Sequence, residues 1–105
     1  MTEYIVVLIT AGKEEDAAEI AKEIVRDRLA ACVNIVRGVR SIYRWQGKTE
    51  DEGEVLMVVK TRRALFADLA KRVKELHSYS VPEIIGLPIV EGSEDYLRWL
   101  GEETV

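Results

Sequence analysis

Two short segments gather most of the side chains in this sequence that could do chemistry: Ser41-Ile42-Tyr43-Arg44-Trp45 and His77-Ser78-Tyr79-Ser80-Val81-Pro82-Glu83. His77 is the only histidine and Cys32 the only cysteine. A transition metal such as copper or zinc takes imidazole together with thiolate or carboxylate, so His77, Glu83 and Cys32 form the one varied set of candidate ligands. Their spacing matches no established metal motif, and convergence then depends on the loop after His77 or on a ligand from a second subunit. The plainer role for His77 is that of a charge partner at the C-terminal end of a helix. Cys32 beside His77 would make a thiol nucleophile, but no orienting group or oxyanion loop accompanies the pair.

Tyr43, Trp45, Tyr79, Tyr96 and Trp99 could line a ligand cleft, with Lys60 as its anchoring cation. The same rings equally suit a core or a subunit interface, and Lys60 equally suits a strand end from which its ammonium reaches water. The sequence has no glycine-rich phosphate loop, nucleophile elbow or paired-cysteine metal motif. The expectation is therefore a binding protein and not an enzyme.

The formal net charge of −4 and the pI near 5.1 argue against a nucleic-acid partner, which would need a broad basic face. A single cysteine rules out an internal disulfide framework and gives no evidence of secretion. The N-terminal MTEYIVVLIT has no basic start and only a short apolar run, so neither a signal peptide nor a membrane span is expected, and a cytoplasmic location is simplest. Charged residues make up 32% of the chain, while Asn34 and Gln46 are its only side-chain amides. That balance is common in heat-adapted proteins and predicts thermostability. The length suits one domain over residues 1–105.

The elements that must position these side chains are organised by Ala31 to Thr61, which reads as a long β-hairpin turning at Gly47. From Val33, the odd positions Val33, Ile35, Val39, Tyr43 and Trp45 are expected on one face. A strand of about 14 residues at roughly 3.3 Å each outreaches a globule of this size, so the hairpin must bend or project, with Gly38 as the expected kink. Tyr4 to Thr10 reads as a central strand ended by Gly12. A helix follows, acidic in its first turn, with Ala17, Ile20, Ala21, Ile24, Val25 and Leu29 as its apolar stripe. A second helix is expected from Arg62 to His77, with Thr61 as N-cap and Asp68 four residues before Arg72. Pro82 to Val90 reads as an edge strand, and Ser93 caps a short last helix that Gly101 stops.

The order is strand, helix, strand, strand, helix, strand, helix: an α+β, ferredoxin-like βαββαβ chain with a long β2–β3 hairpin and a short C-terminal helix. Two helices cover one face of such a sheet, yet Ile5 to Ile9 and Val55 to Val59 are apolar on both faces. Self-association is the simplest cover for the second face, and the overhanging hairpin offers edge hydrogen bonds to a neighbour.

RDRLAACVNI (Arg26 to Ile35), SIYRWQGK (Ser41 to Lys48), EVLMVVKT (Glu54 to Thr61), HSYSVPEII (His77 to Ile85) and YLRWL (Tyr96 to Leu100) together resemble the CutA family of divalent-cation tolerance proteins over nearly the whole chain. The resemblance implies a homotrimer of ferredoxin-like subunits, similar in architecture to PII signalling proteins, with the hairpin reaching across to a neighbour. It implies a role in tolerance of copper or another divalent metal ion and no established catalytic reaction. His77 and Glu83 carry over as the metal candidates, and Cys32, Tyr43, Trp45, Lys60, Tyr79 and Trp99 as the lining of an inter-subunit cleft. Ser78 stands where the family usually has proline, which implies a looser loop after His77, and Ile9 stands where some members have a thiol. The alternative is a PII-like trimer that senses a small anionic metabolite through Lys60 and nearby arginines and acts on an unknown protein partner. A third reading makes the trimer mainly a scaffold.

Overall fold

The eight residues of β1 (Tyr4–Ala11) alternate half-buried and buried side chains along their whole length, with Ile5, Val7, Ile9 and Ala11 turned into the core. That alternation is the mark of a strand covered fully on one face only. In the computed structural model, which describes residues 2–105, β1 is followed by α1 (Glu14–Arg26), β2 (Cys32–Trp45) and β3 (Lys48–Arg62). A short 3-10 turn (Arg63–Leu65) then leads into α2 (Phe66–Leu76), β4 (Ile84–Pro88) and α3 (Glu94–Glu103). The four strands form one antiparallel sheet in the order β2-β3-β1-β4, the ferredoxin-like arrangement expected from the order of elements. β1 and β3 are central, and β4 lies at an edge, where Pro88 is tolerated; it is shorter than the expected Pro82 to Val90, running only from Ile84 to Pro88.

Cross-strand partners share a face, so the register assigns both faces of the sheet. Val7 opposite Val59, Ile9 opposite Met57 and Ala11 opposite Val55 face α1 and α2. Ala17, Ile20 and Ile24 of α1 and Leu69 and Val73 of α2 complete that core, almost wholly removed from water. On the other face Val6 lies between Lys60 and Leu87, and Leu8 between Val58 and Ile85. Ile85 and Leu87 remain 49% and 47% exposed there, and Val36 45%. This second face is covered by α3 at one end and is open over the rest.

Three local features set the limits of the elements. α1 carries Glu14, Glu15 and Asp16 at the positive end of its dipole, and it stops where Arg28 takes a left-handed φ of 60° and Ile24 O accepts the N–H groups of both Leu29 and Ala30. The hairpin turns through Gln46 and Gly47, both at positive φ, which is the backbone a two-residue hairpin connection needs. Ser93 accepts the Tyr96 N–H at 3.3 Å and so caps α3 as expected.

β2 departs from the expected pattern. Its pairing with β3 slips between Val36 and Val39, so that one extra residue is accommodated at Gly38, whose φ is +76°. This is a β-bulge, and a one-residue slip exchanges the two faces of everything beyond it. Ile35 pairs with Met57 on the helix side, whereas Val39, Ser41 and Tyr43 pair with Glu54, Glu52 and Glu50 on the open side. Val33 and Ile35 therefore do not share a face with Val39, Tyr43 and Trp45. Beyond the bulge the hairpin projects, giving the subunit a long axis of 44 Å against 25 and 23 Å.

Other expectations are also corrected. Thr61 is not a helix cap: it belongs to β3, is fully buried, and donates its hydroxyl to Leu29 O at 2.6 Å. The 3-10 turn takes up the residues between it and α2, which begins without a side-chain cap. Arg72 pairs not with Asp68 but with Glu75 and with Glu23 and Asp27 of α1, so the charge joins the two helices. Gly101 does not stop α3, which runs on to Glu103. A side chain there would run into the Tyr4 hydroxyl, and the Arg62 guanidinium donates to Gly101 O at 2.6 Å, so glycine serves close approach.

Candidate functional site

Beyond the bulge, β2 and β3 form one wall of a cleft of about 570 Å³, and the segment between α2 and β4 forms the other. The hairpin contributes Ser41, Ile42, Tyr43, Trp45, Glu52 and Glu54, β1 contributes Thr10, and the opposite wall contributes Tyr79, Ser80, Val81 and Glu83. Of the residues singled out from the sequence, Tyr43, Trp45 and Tyr79 of the expected cleft and Glu83 of the expected metal pair lie together here. Thr10, Glu52 and Glu54 were not foreseen. The signal for the two glutamates was present in the alternation of β3, but only a known bulge position in β2 turns Tyr43 toward them.

Two tyrosine–carboxylate pairs frame the cleft. Tyr79 donates its hydroxyl to Glu54 at 2.7 Å, and Tyr43 donates to Glu52. The bond to Glu52, with partial desolvation and the field of Glu50 and Glu54, pushes the Tyr43 hydroxyl up to about 12. Desolvation and then Glu54 push Tyr79 up as well. Both phenols stay protonated and act as donors, and both carboxylates are held in place. Glu83 has no hydrogen-bond or ion-pair partner among the described residues. The lining holds no lysine, arginine or histidine, so three carboxylates give the cleft a negative field.

His77 lies behind this wall and not in it. Its Nε2 meets Thr10 O at 2.8 Å, its Nδ1 accepts the Tyr79 N–H at 3.0 Å, and its ring packs against the Tyr79 ring at 4.7 Å. The helix ends at Leu76, so His77 is the first residue of the returning segment, and both ring nitrogens are engaged, one with Thr10 O and one with the Tyr79 N–H. Ligation of a metal by His77 would require one of these bonds to open. Among the described residues no three histidine, cysteine or carboxylate side chains converge closely enough to hold a metal ion within one chain.

Cys32, Lys60 and Trp99 occupy a different place. Cys32 lies opposite Lys60 across the strand pair, near the other end of the open face. Lys60 donates to Asn34 Oδ1, and the Cys32 thiol lies 3.8 Å from the same oxygen. Tyr96 of α3 faces Cys32, and burial followed by the nearby thiol pushes its hydroxyl up. Trp99 stacks on Tyr96 at 5.5 Å. Lys60 and Glu54 are six residues apart on one strand, or about 20 Å. The residues expected to line one cleft therefore form two separate groups on a single chain.

The family model described as CutA1 divalent ion tolerance protein matches residues 5–103. The chain is 58% identical over 99 residues to the divalent-cation tolerance protein CutA of Thermus thermophilus, covering 94% of this chain and 96% of that one. It is 44% identical over 96 residues to human protein CutA, spanning 91% of this chain but only 54% of the human protein. Among solved structures, the Thermus thermophilus divalent cation tolerance protein superposes with a TM-score of 0.95 at 56% identity, covering 97% of this chain and 99% of that one. CutA1 from Oryza sativa superposes with a TM-score of 0.94 at 44% identity, covering 97% of this chain and 94% of that one.

Proposed function

This chain belongs to the CutA1 divalent ion tolerance family, and from that membership we propose a homotrimeric protein of the response to divalent metal ions, copper among them, that captures the cation at this acidic cleft with a neighbouring subunit closing it. The observation that carries this reading is the charge of the cleft: three carboxylates and no basic side chain in its lining. Such a field concentrates cations. Glu83 supplies a free carboxylate to a metal, and His77 supplies imidazole once its bond to Tyr79 or Thr10 is released, with a neighbouring subunit completing the donor set.

The open sheet face supports the trimer. Val6, Leu8, Val58, Ile85 and Leu87 form a continuous apolar surface of the kind that association buries. The edge of β2 along the projecting arm is unpaired within the chain, and a ring of copies closes such edges. An anion-sensing role would draw on Lys60, which is engaged with Asn34 and lies away from the cleft.

Native mass spectrometry of metal-free protein, then with limiting copper or zinc, tests assembly and capture together. The expected result is a mass of three times 11.9 kDa that gains metal in the wild type and loses most of the gain in Glu83→Ala and His77→Ala. A trimer that takes up no metal, or takes it up equally in both variants, would overturn the metal site and leave the assembly standing.

A further inference from the structure

The cleft is shaped for a cation that spreads its charge over a broad apolar body. Its carboxylates belong to Glu52, Glu54 and Glu83, and its rings to Tyr43, Trp45 and Tyr79. Glu52 and Glu54 point the same way from one strand, about 6.6 Å apart along it, and each is tied to its own tyrosine. They are therefore spaced around the cavity and do not converge on one point, which agrees with the absence of any three-donor cluster among the described residues. A bare divalent ion gains most from close convergence of oxygen and nitrogen donors. An organic ammonium gains from distributed carboxylates and from contact with aromatic faces, which attract a weakly hydrated cation through their quadrupole. At about 570 Å³ the cavity is in the range of small-molecule sites.

We propose that this cleft binds a small organic ammonium cation, held against Trp45, Tyr43 and Tyr79 and neutralised by Glu52, Glu54 and Glu83. The proposal rests on the reading above that the cleft is a cation site, and it adds the class of ligand. Tyr43 and Tyr79 act here as donors that fix the carboxylates, so a neutral or anionic ligand of the same shape gains neither attraction.

Choline and the uncharged alcohol in which a carbon replaces its nitrogen serve as paired probes, titrated into the intact trimer by calorimetry. Fluorescence of Trp45 in a Trp99→Phe background locates the site. The expected result is one choline per cleft, an uncharged analogue bound at least tenfold more weakly, and a change in Trp45 emission. Trp45→Leu is expected to weaken choline about fivefold, and Glu83→Gln to weaken it while preserving the far-ultraviolet dichroism of the fold. No choline binding, equal binding of the uncharged analogue, or affinity unchanged in both variants would overturn the proposal. A parallel titration with zinc chloride keeps the two readings apart. Zinc uptake without choline binding defeats the organic-cation proposal alone, and choline binding without zinc uptake supports it while defeating metal capture.

Discussion

Tyr79 reaches from the segment after α2 to Glu54 on β3 with a 2.7 Å hydrogen bond, and this one contact joins the two walls of the cleft. Tyr79 is itself held from behind by His77, so the wall has a fixed order: β1 backbone, imidazole, phenol, carboxylate. Tyr79→Phe removes the last link. It is expected to cost about 1 kcal/mol, at the low end for a bond to a charged group because the phenol is partly exposed, as read by urea unfolding.

The same bond predicts a response to alkali. The folded-state pKa values of Tyr43 and Tyr79 are raised above the ordinary value of about 10. Between that value and the raised ones, the unfolded chain loses protons that the folded chain keeps. Stability from these groups is thus complete below about pH 10 and falls as pH rises toward 12. Denaturant midpoints measured across this interval should decline in the wild type and decline less in the double variant Tyr43→Phe/Tyr79→Phe.

Thr61→Val keeps the shape of a fully buried side chain and removes its bond to Leu29 O. The carbonyl of half-buried Leu29 loses that donor, and a loss of about 1–2 kcal/mol is expected by chemical denaturation. A neutral result would mean that Leu29 O finds another donor.

Gly101→Ala should destabilise although alanine is the better helix former. The new methyl group meets the Tyr4 hydroxyl, and an overpacked contact of this kind costs about 1–3 kcal/mol. Tyr4→Phe frees the space, so the double variant Gly101→Ala/Tyr4→Phe should recover part of the loss in melting temperature. Additive losses would show that the clash lies elsewhere.

Ile85→Lys places a charge on the open sheet face at a position 49% exposed in the single chain. The chain should fold as before, because the side chain contributes little to the core, and the proposed trimer should be lost. Sedimentation velocity alongside circular dichroism reads both. A folded trimer in this variant would place the interface away from this face.

The order of elements was legible from the apolar runs, β1 as central from its unbroken apolar stretch and β4 as an edge from proline. Of the α1 stripe, Ala17, Ile20 and Ile24 are buried, whereas Val25 is exposed and Leu29 lies beyond the helix. The face of Tyr43 and Trp45 was not legible. Counting alternate residues from Val33 assumes an unbroken strand, and the sequence marks the break only by Gly38, whose positive φ permits a bulge without demanding one. Thr61 looked like a cap because a threonine before a helical stripe usually is one, and the carbonyl that claims its hydroxyl is remote in sequence. Gly101 looked like a stop for the same reason: local signals do not reveal that Tyr4 needs the space. Of the cleft lining, Tyr43, Trp45, Tyr79 and Glu83 are singled out by residue type alone, whereas Tyr96 and Trp99, chosen on the same ground, lie elsewhere. The split between the Tyr43 and Cys32 groups follows from their distance along the hairpin, eleven residues of extended strand, once both are known to lie on one continuous β2.

The bulge at Gly38 also makes β2 two strands in succession as far as substitution is concerned. Before it, inward residues are constrained by helix packing; after it, the corresponding residues answer only to the cleft. Ser41, Tyr43 and Trp45 can therefore be substituted with little penalty to the core, and the core can be repacked through Val33 and Ile35 without disturbing the cleft. Deleting Gly38 would bring the two halves back into phase and turn Tyr43 and Trp45 away from Glu52 and Glu54, erasing the cleft while leaving every residue of its lining unchanged.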